Sequence, residues 1–265
     1  MRHNLALARD RAPAAKRWAV VKANAYGHGL ARVLPALDAA DGLALVEIDA
    51  AVALREAGWR KPPLLIEGFF DEADLASFAR HRFTAVVHAG WQLAMIERTT
   101  LDHPLEVYLK VNTGMNRLGF RPAAVADALG RLRASGKVGT VTLMTHFADA
   151  DGARGVDESL GQFDAAAASL GAANGGMPRS AANSAALWRY PQTHFEWVRP
   201  GIMLYGCSPF EDESAERMGL APVMTLKSAI LAVQSLAPDE RAGYAGVLDR
   251  KSTRLNSSHT DISRM

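Results

Sequence analysis

The chain has 265 residues, 49% of them hydrophobic and 22% charged, enough to bury a large core as one α/β domain or as one domain with a partner piece. A formal net charge of +2 gives no electrostatic reason to expect a nucleic acid or an anionic membrane as partner. A single cysteine, Cys207, excludes an internal disulfide framework and a cysteine-rich metal site. No apolar run is long enough to span a bilayer and the start Met-Arg-His-Asn carries no secretory pattern, so cytoplasm is the expected compartment.

Residues 3 to 17 read as a helix with Leu5, Leu7 and Ala8 on its apolar side, closed or kinked by Pro13. The apolar run from Trp18 to Val21 reads as a buried strand, 18–22, that stops at Lys22, with Gly27 and Gly29 as turn positions. Leu30, Val33, Leu34 and Leu37 share one face of a helix from Leu30 to about Ala40. Strands then alternate with helices: 43–46 with 49–57, 64–66 with 72–80, 84–87 with 91–98, 105–111 with 122–134, and 141–144 with an Ala-rich helix at 159–170. Two short strand segments follow, 179–182 and 197–198, the second feeding a Pro200-Gly201 turn. With about eight strand candidates and polar residues repeatedly at their C-terminal ends, the pattern predicts a (β/α)8 TIM barrel over residues 1–209. No glycine-rich dinucleotide fingerprint follows the first strand, which argues against a doubly wound sheet.

After Pro209 the character changes. Asp212 to Arg217 reads as an exposed linker, and residues 223–233 alternate as strand, the beginning of a separate β domain within 210–250. Residues 251–265 lack periodicity and read as a disordered or foreign tail.

The functional candidates stand at the strand ends: Lys22 and Tyr26, Lys110, Arg117, His146, Asn183 with Ser184, and Arg199 with Gly201 and Ile202. An amine held at the mouth of a barrel can form a Schiff base, because partial desolvation favours the neutral nucleophile. A lysine that only marks a strand end, a packed histidine, a helix cap at Asn183-Ser184 and a structural arginine are the plain alternatives. Together, a nucleophilic lysine, an imidazole, an arginine and the hydroxyl and backbone N–H groups of a phosphate cradle suggest a pyridoxal phosphate site, with phosphate-sugar chemistry also open.

Val20-Val-Lys-Ala-Asn-Ala-Tyr-Gly-His-Gly29 resembles the cofactor-lysine motif of alanine racemases. Lys110 to Gly119, His146-Phe-Ala, Ser180 to Ala185, Trp197 to Gly206 and Gly243-Tyr244 match that family in order, a likeness covering roughly residues 1–247. Ile66 to Phe70 and Phe195 to Trp197 resemble its proteobacterial catabolic branch.

The resemblance implies interconversion of L-alanine and D-alanine by two-base proton transfer on a pyridoxal 5'-phosphate aldimine, in a homodimer that shares its active sites. It implies that Lys22 holds the cofactor and serves as the base facing D-alanine. Tyr244 of the partner subunit would be the base for L-alanine, and His146 would lie beside the ring and connect to that tyrosine. Arg199 would face the pyridine nitrogen, and Arg117 would contact the cofactor oxygen and the substrate carboxylate. Lys110 matches a lysine carbamylated in many members. Tyr26, Ser184, Gly201 and Ile202 would hold the phosphate. The family begins earlier and continues beyond Tyr244, so the resemblance also implies a chain truncated at both ends. A barrel that binds the cofactor without racemising, and a racemase of broader substrate range, are the alternatives.

Overall fold

In the computed structural model, the described residues are 1–171, 175–246 and 248–249. Eight parallel strands pair in chain order and close on themselves: β1 Lys16–Val20, β2 Gly42–Leu45, β3 Pro63–Leu65, β4 Thr84–Val87, β5 Leu105–Lys110, β6 Val138–Met144, β7 Arg179–Ser180 and β8 Trp197–Val198. Closure is made by β8 on β1, with Lys16 opposite Trp197 and Arg17 opposite Val198. Intervening helices run between the strands, so the fold is the expected (β/α)8 barrel.

Two apolar layers follow from the pleat, because successive side chains point to opposite faces. Trp18, Val20, Ala44, Leu64, Val86, Tyr108 and Met144 pack inside the barrel. Their neighbours Ala19, Leu43, Leu45, Leu65, Ala85, Val87, Leu109 and Leu143 face the helices in the larger cluster. Inside, Trp18 stacks on Trp197 with centroids 4.4 Å apart, and its indole N–H donates to the Tyr108 hydroxyl at 2.7 Å.

Proline accounts for two shortened helices. The first runs Arg2–Arg11 and ends at Ala12 (φ −132°), because the residue before Pro13 is driven out of helical geometry. The span expected at 30–40 is a single turn, Leu30–Val33, followed by a 3-10 turn at Leu34–Ala36, since Pro35 has no N–H to continue the ladder. The first strand lies two residues earlier than its apolar run suggests, because pairing with β8 already begins at Lys16. Lys22 consequently stands beyond the strand end.

The chain divides into two compact units, Met1–Met224 and Thr225–Met265. Residues 210–224 belong to the first unit, with Phe210, Met218 and Leu220 buried, while the linker expected at Asp212–Arg217 is exposed or half-buried between them. Buried Asn4 ties them to the first helix, donating to Leu204 O (3.1 Å) and Ala221 O (2.8 Å) and accepting from Ala221 N (2.8 Å).

In the second unit, Arg241–Ala242 pairs antiparallel with Leu248–Asp249 across a turn at Tyr244–Gly246. The strand expected at 223–233 is absent, and Leu226, Ile230, Leu231 and Val233 are exposed. An alternating segment needs a partner edge to become a strand, and none pairs with it among the described residues. The expected tail 251–265 lies outside the described residues. No helix among the described residues is long and apolar enough to cross a membrane.

Candidate active site

A cavity of about 440 Å³ opens at the C-terminal ends of the strands, the face on which barrels collect their chemistry. Lys22, Tyr26, Lys110, Arg117, His146, Ser184, Arg199, Gly201 and Ile202 all line it, together with Asn183. Tyr244 belongs to the second unit, where its side chain is fully exposed.

Lys22 starts an unusual turn. Ala23, Asn24, Ala25 and Tyr26 all have φ between 51° and 57°, a left-handed helical turn built without glycine. Each such residue costs about 1–2 kcal/mol, so the surroundings must hold it. Ala25 N donates to Val21 O at 2.9 Å, Ala23 N to Glu47 Oε1 at 3.2 Å, and Leu30 N to Asn24 Oδ1 at 2.8 Å. At the far end the Tyr26 ring packs on Tyr205 (4.6 Å), whose hydroxyl donates to Val20 O at 3.0 Å. Burial raises the pKa of both phenols. A Cβ at Gly201 would stand 2.8 Å from the Tyr26 hydroxyl, which makes this position one for glycine.

Arg117 is carried by a loop that leaves β5 and returns to it. Phe120 N donates to Lys110 O and Asn112 N to Phe120 O, each at 2.8 Å. Asn112 Oδ1 accepts from the N–H groups of Gly114 and Asn116. Gly119 (φ 122°) closes the loop where a Cβ would lie 2.8 Å from Asn112 N.

Arg199 is buried without a carboxylate. Its guanidinium donates to Ser180 Oγ (2.6 Å), Thr145 O (2.6 Å) and Ala181 O (2.9 Å), and lies 3.4 Å from His146 Nδ1. Burial lowers its pKa to about 10, which leaves it charged at neutral pH. Burial, then Arg199, holds the His146 pKa well below the ordinary histidine range, so its ring is neutral. Lys110 is buried at the end of β5, and burial followed by Arg199 and Arg117 lowers its amine to about 8. At the seventh strand the plain and the functional readings both hold a residue. Asn183 caps the following helix, its Oδ1 accepting from Ala186 N at 3.0 Å, while Ser184 Oγ accepts from Gly201 N (2.9 Å) and faces the cavity.

None of Lys22, Lys110, Arg117 or Arg199 forms an ion pair with a carboxylate among the described residues. Four cations around one cavity of ligand size make a site for a small, multiply anionic molecule. A phosphate-bearing cofactor and an amino-acid carboxylate fit that charge.

Sequence reasoning passed over Glu67 and Asp151, which also line the cavity, and Glu47 and Tyr205, which hold the left-handed turn. Glu67 carried the same signal as Lys22, a polar residue ending a buried strand. Tyr205 carried none, being one apolar letter among several.

The barrel and its cation-lined mouth define a (β/α)8 protein with a site for an anionic small molecule. Residues 1–209 match the family described as alanine racemase, N-terminal domain. The catabolic alanine racemase of Klebsiella aerogenes is 48% identical over 248 residues, 93% of this chain and 68% of that protein. The alanine racemase of Paraburkholderia phytofirmans is 51% identical over 243 residues, 91% and 67% respectively. Among solved structures, alanine racemase from Acinetobacter baumannii superposes with a TM-score of 0.82 at 33% identity, covering 93% of this chain and 69% of that one. The biosynthetic alanine racemase of Pseudomonas aeruginosa gives 0.81 at 40% identity, covering 93% and 68%. The chain belongs to the alanine racemase family, pyridoxal-phosphate-dependent enzymes that interconvert L-alanine and D-alanine. It spans about two thirds of the length of these relatives, and the similar identities to catabolic and other racemases do not separate the branches.

Proposed function

We propose that this chain binds pyridoxal 5'-phosphate in the barrel cavity and racemises alanine by proton transfer on two opposite faces of the α-carbon, as one subunit of a homodimer. The observation that carries the reading is the set of four cations around one cavity, none in an ion pair among the described residues, in a chain of this family. Bound there, the cofactor supplies a carbonyl carbon that condenses with amines and a conjugated ring that draws electrons from the substrate α-carbon.

The chain's own groups then divide the work. Lys22 would hold the cofactor through its amine and would move the proton on the face presented by D-alanine. Tyr244 of the partner subunit moves the proton on the L-alanine face, since inversion needs one base on each side. Arg117 orients the substrate carboxylate. Arg199, charged at neutral pH and with N–H donors left over from its bonds to Ser180, Thr145 and Ala181, would face the ring nitrogen as a hydrogen-bond donor that keeps its own proton. His146, held neutral by burial and by Arg199, would lie beside the ring. Tyr26, Ser184, Gly201 and Ile202, which line the cavity together, would hold the phosphate and so fix the cofactor's orientation between the two bases. Lys110, as a carbamate, converts a cation into an anion that aligns Arg117.

The test is alanine turnover in deuterium oxide with added cofactor. The wild-type chain is expected to form D-alanine from L-alanine with deuterium at the α-carbon, and Lys22→Ala to do neither. Tyr244→Phe should still exchange the α-hydrogen of D-alanine without inverting it. Cofactor binding with no exchange of either enantiomer would support a non-catalytic binding barrel, and racemisation surviving in Lys22→Ala would refute the assignment.

A further inference from the structure

Glu67 has no place in the roles given so far. It follows β3, half-buried, and lines the same cavity as Lys110. Its backbone is pinned: Glu67 O accepts from Gln92 Nε2 at 3.2 Å and lies 3.1 Å from His88 Nε2. Gln92 is fully buried, donates also to Phe69 O at 3.3 Å, and accepts from His88 N at 2.8 Å through Oε1. That network fixes where the Glu67 side chain starts, yet its carboxylate has no hydrogen bond or ion pair among the described residues, and neither has the Lys110 ammonium.

The charged and titratable groups that share the cavity or act on Lys110 are Lys22 and Tyr26 beyond β1, Glu67 beyond β3, His88 beyond β4, Arg117 beyond β5, His146 and Asp151 beyond β6 and Arg199 beyond β8. Among the main influences on Lys110, Glu67 is the sole one of opposite charge; burial, Arg199, Arg117 and Lys22 all favour the neutral amine. A half-buried carboxylate so placed, with no donor of its own, is a counter-charge at a distance.

We propose that Glu67 is a positioning residue that holds the Lys110 amine as an ammonium and thereby sets how readily that amine takes up carbon dioxide. The uptake rests on the carbamate reading of Lys110 given above. In it the neutral nitrogen attacks the carbon of carbon dioxide, an N–C bond forms, one C–O π pair moves onto oxygen, and the nitrogen proton leaves to solvent. Removing the Glu67 charge acts twice in one direction: it frees the amine, and it removes a repelling anion from the carbamate.

The experiment uses the cofactor-loaded protein and two readouts. Cyanate modifies only neutral amines, so its rate at Lys110, followed by peptide mass spectrometry against pH, reports the free amine. Glu67→Gln is expected to move that profile about one pH unit lower, roughly fivefold faster at pH 7, with Glu67→Asp near wild type and Lys137 unchanged in all. An identical Lys110 profile in wild type and Glu67→Gln would overturn the proposal. The second readout is the carbamate signal in carbon-13 NMR under labelled bicarbonate, identified by its loss in Lys110→Met. It should be stronger in Glu67→Gln than in wild type at equal bicarbonate. A shifted cyanate profile with no carbamate in either protein would reject the carbon dioxide reading while leaving the counter-charge standing. Equal carbamate signals would reject the control by Glu67.

Discussion

Lys110→Met should make the cofactor-free barrel more stable while removing function. Lys110 is buried with only 6% of its surface exposed, among Arg199, Arg117 and Lys22, and without a direct partner among the described residues. Its amine falls from 10.5 to about 8 in the fold. At ~1.4 kcal/mol for each pH unit, that difference costs the native state about 3 kcal/mol wherever the lysine is charged in both states. Below pH 8 the whole cost is present. Between pH 8 and 10.5 the unfolded chain binds more protons than the native one, so wild-type stability rises with pH and the cost disappears. Methionine keeps a similar length and carries no charge. In bicarbonate-free buffer at pH 7, Lys110→Met is therefore expected to melt roughly 6–12 °C above wild type, with the advantage shrinking steadily towards pH 10. A variant that melts at or below wild type at pH 7, or whose advantage does not change with pH, would refute the reasoning.

Arg55 donates to the carbonyls of His81, Trp59, Lys61 and Arg82, joining two loops at the opposite end of the barrel. Arg55→Ala should lower stability by about 2–4 kcal/mol in urea unfolding, and Arg55→Lys should recover less than half, since one ammonium cannot reach four diverging acceptors. Asn4→Ala should cost about 2–3 kcal/mol by the same measurement, because it strands the Ala221 N–H and two carbonyls; Asn4→Asp, which keeps the acceptor and loses the donors, should not restore it. At exposed Ala23 (φ 52°), Ala23→Val should destabilise by about 1–2 kcal/mol and weaken cofactor binding, whereas Ala23→Gly should change the midpoint by less than about 1 kcal/mol, because relief of strain is offset by a freer unfolded chain. The His146 ring should stay unprotonated in NMR titration well below pH 6.5, and protonation at ordinary histidine pH would contradict its burial beside Arg199.

The barrel was legible because buried parallel strands are short apolar runs that end in polar residues, and β4 with its four buried positions is the plainest case. Lys22, Lys110, His146 and Arg199 were legible for the same reason: a charged or imidazole group ending such a run has few places to go except the mouth of the barrel. What stayed hidden depends on long-range partners. The left-handed turn over Ala23–Tyr26 uses residues that carry no φ > 0 preference except Asn24, and it exists because Glu47, Asn24 and Tyr205 hold it from three sides. Pro35 was visible but outweighed by the periodicity of Leu30, Val33, Leu34 and Leu37, although its missing N–H decides the matter. The alternating segment at 223–233 shows the converse: a strand pattern becomes a strand only where an edge is there to receive it.

The central claim is that Lys22 carries the cofactor at the mouth of this barrel. Its most direct test is borohydride reduction of the cofactor-loaded chain followed by peptide mass spectrometry. The account predicts one pyridoxyl-phosphate label on Lys22, competed away by D-alanine added before the reductant. Labelling at Lys110 or at surface lysines with Lys22 unmodified would contradict it.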